Sequence, residues 1–311
     1  MSKPSHMKSS EQCFHDTVAT LGLPQEVLSS RATIYEPVAA WLAALQRREA
    51  RPLVIGVNGA QGSGKSTFCA LLAPLLSEVY GLRTVVLSID DVYQTRKARH
   101  ELAKRIHPLC AVRGVPGTHD VPMTHDLLDR LTEGVHQSSV AIPRFDKAAD
   151  DRSPPDAWDV VDGPVDVILF EGWCVGCSSL PEWAAPINRR ERSDDSDGVW
   201  VKWSRACLYS EYLSLFERLD GLVMLAVPSM QTVVEGRWLQ EQRLWSTYEA
   251  ENSDAVRPPG LMTRSEVEDY VALFERYTRH MLETLPGQAD VLLSRGEGFT
   301  YTLDRIPGEG T

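Results

Sequence analysis

Hydrophobic positions along the chain alternate between two periods. From Ala32 to Arg48, Tyr35, Val38, Trp41, Leu42 and Leu45 recur at helical spacing, so an amphipathic helix is expected there. Pro52 ends it, and Leu53-Val54-Ile55-Gly56-Val57 follows as a short apolar run bounded by turn residues, the pattern of a buried parallel strand. The alternation then repeats. A helix over Ser66–Tyr80 leads to a strand over Thr84–Ile89, a charged helix around Arg96–Ile106, the loop Arg113–Asp120 and a helix near Thr124–Leu131. An edge-like segment, Val140–Phe145, precedes a polar loop over 146–163. Strands follow at Val165–Phe170 and Gly221–Val227, long helices at Met230–Ala250 and Arg264–Leu285, and a last strand at Val291–Leu293. Strands alternating with helices build βαβ units. The expected fold class is therefore α/β, a three-layer sandwich with a mostly parallel central sheet covered by helices on both faces.

Some stretches stand outside this pattern. Residues 1–30 are polar and weakly patterned and read as a variable N-terminal arm, leaving 31–311 as one domain. Residues 178–205, with the charged run Arg189-Arg190-Glu191-Arg192-Ser193-Asp194-Asp195, read as a solvated excursion. Glu251–Gly260 reads as a loop with paired prolines, and the basic helix over Arg96–Arg105 as a solvated face.

Composition narrows the setting. No apolar run approaches the roughly 18–20 residues of a membrane helix, and the N-terminus lacks an apolar signal core, so a soluble, cytoplasmic protein without membrane contact is expected. Six cysteines in that setting read as reduced thiols. Cys174-Val175-Gly176-Cys177 lacks the second pair or His cluster that a zinc site needs. A net charge of −11 argues against nucleic acid as a partner. It also means that any anionic ligand must meet a local concentration of Arg and Lys.

The strongest motif is Gly59-Ala60-Gln61-Gly62-Ser63-Gly64-Lys65-Ser66, which fits G-x-x-x-x-G-K-[ST] at every fixed position and is followed by Thr67. The motif lies between an apolar strand and a helix, as a phosphate-binding loop must. Its glycines let consecutive N–H groups turn toward one anion, and the following helix presents its positive end there. Lys65 would reach the β- and γ-phosphates of ATP, and the Ser66 hydroxyl would ligate Mg²⁺.

Two acids narrow the class of P-loop protein. The second strand ends in Leu87-Ser88-Ile89-Asp90-Asp91-Val92-Tyr93, and the third in Ile168-Leu169-Phe170-Glu171-Gly172-Trp173. Carboxyl ends of strands line the ligand crevice of a parallel sheet. Asp90 can there accept the proton of an attacking hydroxyl and help hold Mg²⁺, while Glu171 occupies the place of an acid that orients the Mg²⁺ shell. The base-reading motif of a GTPase and the signature of a transporter ATPase are both absent from the sequence. The pattern points to a kinase of a small hydroxylated metabolite. The acceptor region is expected in Arg113–Asp120 and Pro143–Arg152, with Arg113 or Arg144 as the cation for an anionic acceptor. Arg237, on the helix that also carries Gln240 and Glu241, could close over the phosphates as part of a lid spanning about 230–250.

These segments, taken in order, resemble the D-glycerate 3-kinases of plant and fungal type with their bacterial relatives. That family lies within the phosphoribulokinase, uridine kinase and pantothenate kinase group. The resemblance runs over about residues 32–295. The phosphate loop and Leu-Ser-x-Asp-Asp are shared across the group, whereas Arg113–Asp120 and Phe170-Glu171-Gly172-Trp173 are more specific. It implies Lys65, Asp90, Glu171 and Arg237 as catalytic groups, with Ser66, Asp90 and Glu171 toward the metal. It further implies an acceptor site drawn from Asp91, Tyr93, Arg113, Thr118, His119, Asp120, Arg144, Asp146 and Lys147. Val92 and Ala148 depart from the family's usual residues, and neither removes a catalytic group. Another acceptor within the kinase group, or a P-loop ATPase driving a protein partner, stays open on the residues alone.

Overall fold

In the computed structural model, which describes residues 9–133, 139–147, 149–251, 261–296 and 300–308, the apolar runs named above converge on one sheet. Helix α1 (Ser10–Thr20) and α2 (Glu36–Glu49) precede β1 (Leu53–Gly59), and α3 (Lys65–Tyr80), β2 (Thr84–Ser88), α4 (Arg96–Arg105) and α5 (Val121–Thr132) follow. The small strands β3 (Val140–Ile142), β4 (Phe145–Asp146), β5 (Asp151–Arg152) and β6 (Asp159–Val161) lead into β7 (Val167–Gly172). After α6 (Arg189–Asp194), α7 (Val199–Cys207) and α8 (Leu213–Phe216) come β8 (Gly221–Ala226) and α9 (Met230–Glu251). Helices α10 (Arg264–Ala272) and α11 (Glu275–Thr284) then lead to β9 (Val291–Arg295) and β10 (Tyr301–Arg305).

The central sheet has the order β10-β9-β8-β1-β7-β2. β1 lies between β7 and β8 and runs parallel to both, β2 and β9 extend the parallel ladder, and β10 is antiparallel to β9. Every residue of β1 and β7 is buried, as expected for strands covered on both faces. Alternate residues serve the two cores. Leu53, Ile55, Val57, Val167 and Leu169 pack with α1, α2 and α3, while Val54, Ile168 and Phe170 pack with α5, α7 and α11. The α/β three-layer expectation is met, and with it the prediction of a mostly parallel sheet.

Several boundaries differ, each for a tertiary reason. Part of the expected N-terminal arm is structural: α1 buries Cys13, Phe14 and Val18 against the face that holds α3. Residues 178–205 are not a solvated excursion either. Glu191, Asp195, Trp200, Val201 and Ser204 are buried, and the Asp195 carboxylate caps the first N–H groups of α7 through Trp200 and Val201. The helix expected over Arg264–Leu285 breaks at Leu273–Phe274, where the Phe274 ring turns inward against Trp173, with centroids 5.0 Å apart. Val140–Phe145 leaves the central sheet and forms two short antiparallel pairs, β3 with β6 and β4 with β5. The edge strand β10 alternates Tyr and Leu with Thr, Asp and Arg, too polar a pattern to register as a core strand. Residues 252–260 of the expected proline loop and Ala148 lie outside the described residues.

No helix among the described residues is long and apolar enough to cross a membrane. All six cysteines are free thiols, Cys174 and Cys177 among the five that are buried.

Candidate active site

The chain leaves the sheet at Gly59 and enters α3 at Lys65 through a turn that only glycine accommodates well. Gly62 has φ +72° and Gly64, which caps α3, has φ +91°, both in the left-handed region. The loop is buttressed from two sides. Tyr301 donates its hydroxyl hydrogen to the Ser63 carbonyl and Arg295 approaches the Gly62 carbonyl at 3.4 Å, so the terminal hairpin supports it. From above, α9 packs so closely that a Cβ on Gly62 would lie 2.3 Å from the Gly236 carbonyl carbon. Buried Gln61 Oε1 and Ser63 Oγ have no hydrogen-bond partner among the described residues.

Both acids arrive at the carboxyl edge of the sheet beside this loop. Glu171 is paired in register with Ser88 of β2, which brings the end of β7 next to the turn carrying Asp90. The buried Glu171 carboxylate accepts the Ser66 hydroxyl hydrogen at 2.7 Å through Oε1. Its Oε2 lies 3.9 Å from Lys65 Nζ and has no hydrogen-bond partner among the described residues. Asp90 Oδ2 meets Lys147 Nζ at 2.8 Å, and Oδ1 accepts from the Tyr93 hydroxyl at 3.0 Å. Burial pushes the Asp90 carboxyl upward, but the charges of Lys147 and Lys65 outweigh that and hold it well below the usual carboxylate range.

The loop geometry suits a nucleotide and its metal. A hydroxyl, a buried carboxylate with an oxygen to spare, and a lysine surround one point at the helix N-terminus. Among the described residues no group of three acids, His or Cys is placed to cage a cation. Mg²⁺ would therefore take protein oxygens from Ser66 and Glu171 and complete its shell with phosphate and water, as the ion prefers.

Opposite the loop lies a strap, described over residues 144–147 and 149–152, fastened by five ion pairs. Arg144 Nη1 meets Asp91 at 2.7 Å and Arg144 Nη2 meets Asp159 at 2.6 Å. Arg152 meets Asp120 at 3.0 Å, and its guanidinium also donates to the Tyr93 carbonyl at 2.9 Å. Arg99 and Arg113 both pair with Asp150, and their guanidinium groups sit 5.6 and 5.5 Å from the Phe145 ring centre. Asp150 has φ +54°, an unusual state for a residue with a side chain, held here by the two arginines. The strap delivers Lys147 to Asp90.

The expected acceptor residues thus divide. Tyr93, Arg113, His119 and Lys147 gather around Asp90 together with Tyr270. Burial raises the Tyr270 phenol, and Asp90 on one side and Arg113, Arg237 and Lys147 on the other are close enough to act on it. Asp91 and Arg144 instead neutralise each other at the strap's base. Thr118 is fully buried: its hydroxyl donates to the Val115 carbonyl at 2.8 Å and accepts from Gly114 N–H at 3.0 Å, closing the loop. Asp120 caps α5 through Met123 N–H at 3.1 Å, and exposed Asp146 accepts from Ala149 N–H at 3.0 Å. These five have structural partners and do not join the group at Asp90. Arg237 pairs with buried Glu241 at 2.7 Å and lies 5.8 Å from the Tyr270 ring centre, beside the same group. Arg99, on the helix read as a solvated face, is completely buried.

Tyr270, Arg99 and Tyr301 escape sequence reasoning because each meets a partner far away in the chain. Arg99 carries no local sign: within Arg96-Lys97-Ala98-Arg99-His100 it is indistinguishable from its exposed neighbours Arg96, Lys97 and His100.

Known proteins resemble the chain over much of its length, although no family model matches it. An uncharacterized kinase of Schizosaccharomyces pombe is 31% identical over 227 residues, covering 70% of this chain and 80% of that protein. The chloroplastic D-glycerate 3-kinase of Arabidopsis thaliana is 35% identical over 137 residues, 42% of this chain and 30% of that protein's length. Among solved structures, D-glycerate 3-kinase from Cryptococcus neoformans var. grubii superposes with a TM-score of 0.63 at 25% identity, covering 80% of this chain and 88% of its own.

Proposed function

The chain belongs to the family of P-loop kinases in which these relatives lie, the D-glycerate 3-kinases among them, and on that premise we propose that it transfers the γ-phosphate of ATP to the 3-hydroxyl of D-glycerate. The observation that carries the reading is the meeting of Asp90 with a strap-borne lysine beside the phosphate loop. A donor cradle, an acid and a cation share one crevice, which is the set that alcohol phosphorylation requires.

Lys65 and the loop amides hold the phosphates and offset the charge that spreads over the transferring group. Ser66 and Glu171 would hold Mg²⁺, which when bound neutralises charge on the β- and γ-phosphates. Asp90 orients the acceptor hydroxyl and takes its proton. Its depressed proton affinity makes it a weak base, which is sufficient because phosphoryl transfer depends on alignment and electrostatics more than on base strength. Lys147 exchanges its contact with Asp90 for the carboxylate of the acceptor, and Arg113 and Tyr270 complete that wall. Arg237 closes with α9 over the phosphates.

An acceptor panel of D-glycerate, pantothenate, uridine and ribulose 5-phosphate tests the reading. Glycerate is expected to give the largest kcat/KM. A nucleoside or pantothenate phosphorylated in place of glycerate would move the chain elsewhere in the kinase group.

A further inference from the structure

His119 presents a buried donor that the protein leaves without a partner. It is almost wholly enclosed, and its Nε2 makes no hydrogen bond within the described structure. The tautomer follows from a count of protons at the neighbouring Tyr212 hydroxyl. That oxygen accepts from Gly117 N–H at 3.0 Å and from His119 N–H at 3.3 Å, which fills both of its acceptor positions. Its own hydrogen remains, and the atom 2.7 Å away is His119 Nδ1. Nδ1 must therefore accept, and the ring proton resides on Nε2.

The place of the ring follows from the backbone. Tyr93 and His119 face each other across a single antiparallel bridge, so both side chains leave on the same side. Their rings stack with centroids 4.4 Å apart and an interplanar angle of 20°. The Tyr93 hydroxyl ends on Asp90, the group around which the acceptor is proposed to bind. The His119 imidazole shares that wall.

We infer that Tyr212 is a positioning residue that holds His119 as the Nε2–H tautomer, and that this N–H donates to an oxygen of the alcohol acceptor. The inference rests on the acceptor-site reading above and adds the residue that sets the hydrogen-bond polarity of its wall. A fixed donor selects an oxygen lone pair, a carboxylate or a second hydroxyl, and offers nothing to an ammonium group at that place. Tyr212 is 93 residues from His119 in the chain and touches no acceptor itself.

The test uses the full chain labelled with ¹⁵N-histidine. A long-range ¹H–¹⁵N correlation spectrum reports the tautomer, with the His119 signals identified by their loss in His119→Gln. Nε2 is expected to be protonated in the wild type, and Tyr212→Phe to give a mixture or the opposite tautomer. In steady-state assays Tyr212→Phe is expected to raise the acceptor KM about 10-fold, the worth of roughly one neutral hydrogen bond, with the ATP KM unmoved. A wild-type Nδ1–H tautomer, or an unchanged acceptor KM in a folded Tyr212→Phe, overturns the inference. Should Tyr212→Phe fail to fold, the pair His119→Gln and His119→Leu decides. Gln retains an N–H donor and is expected to keep the acceptor KM several-fold lower than Leu; equal values overturn the inference. If no acceptor in the panel is phosphorylated, the functional reading fails while the wild-type spectrum still judges the tautomer.

Discussion

The seat of α9 on the phosphate loop can be probed with a single methyl group. Gly236 lies within α9, and a Cβ there would come 2.7 Å from the Gly62 carbonyl oxygen and 3.1 Å from its carbonyl carbon. Ordinary contact begins at 3.4 Å, so the two backbones must part by 3.4 − 2.7, or about 0.7 Å. Neither partner is the end of a flexible side chain that could swing aside. Within a helix Ala is favoured over Gly by about 1 kcal/mol, so α9 taken alone should gain from Gly236→Ala. Two readouts therefore move apart. The Tm is expected to stay within a few degrees of wild type or rise. The kcat/KM for ATP is expected to fall about 10-fold, roughly 1.4 kcal/mol, because a misplacement near 1 Å in a catalytic constellation can cost up to about 100-fold. Thermal melts alongside a coupled ADP-release assay at varied ATP measure both. Wild-type kcat/KM with a raised Tm would refute the reasoning, since α9 would then not be seated on the loop in the working enzyme.

Other perturbations separate chemistry from scaffolding. Lys65→Ala is expected to cost at least about 100-fold in kcat/KM, the scale of losing one charge-stabilising group, and Asp91→Ala far less, because Asp91 only fastens Arg144; equal losses would contradict the division between Lys65 and Asp91. Arg99→Met removes a fully buried guanidinium from Asp150 and should lower stability by about 1–3 kcal/mol by denaturant titration, less than a wholly buried pair because Asp150 is partly exposed and keeps Arg113. Loss of the Lys147 strap should accompany it as a raised acceptor KM, and an unaltered KM would show that the strap does not depend on Asp150. Burial pulls the His119 imidazole down to about 3, so the native state keeps it neutral while the unfolded chain gains a proton below about 6.5. Stability should then decline as pH falls from 6.5 toward 3, and His119→Gln should flatten that part of a Tm-against-pH curve; parallel curves would contradict the burial argument.

How much of this was legible in the chain depends on the range of the interaction. The phosphate loop, Asp90 and Glu171 are readable because each lies at the end of an apolar strand, where local periodicity and residue type coincide. Lys147 and Arg237 could be nominated but not placed. The choice of Arg113 or Arg144 as acceptor cation could not be made from sequence, since Arg144 is balanced by Asp91 and Asp159 and only the fold brings those three together. The burial of Arg99 was invisible for the same reason: its partner Asp150 is 51 residues away on a strap with no periodicity. Misreading 178–205 as solvated has a different origin. Its charged residues mask a short helix whose Trp200 and Val201 enter the core, and Asp195 and Glu191 are buried as caps and ion-pair partners. Charge density there reported pairing, not exposure.

The central claim is phosphoryl transfer to glycerate, and ³¹P NMR of the full chain incubated with Mg-ATP and D-glycerate tests it most directly. The account predicts that the γ-phosphate signal is replaced by ADP and a phosphomonoester coupled to the C3 protons of glycerate, and that Asp90→Asn abolishes the new signal while the protein still binds ATP. ATP turned over to ADP and inorganic phosphate alone, with glycerate unchanged, would contradict it.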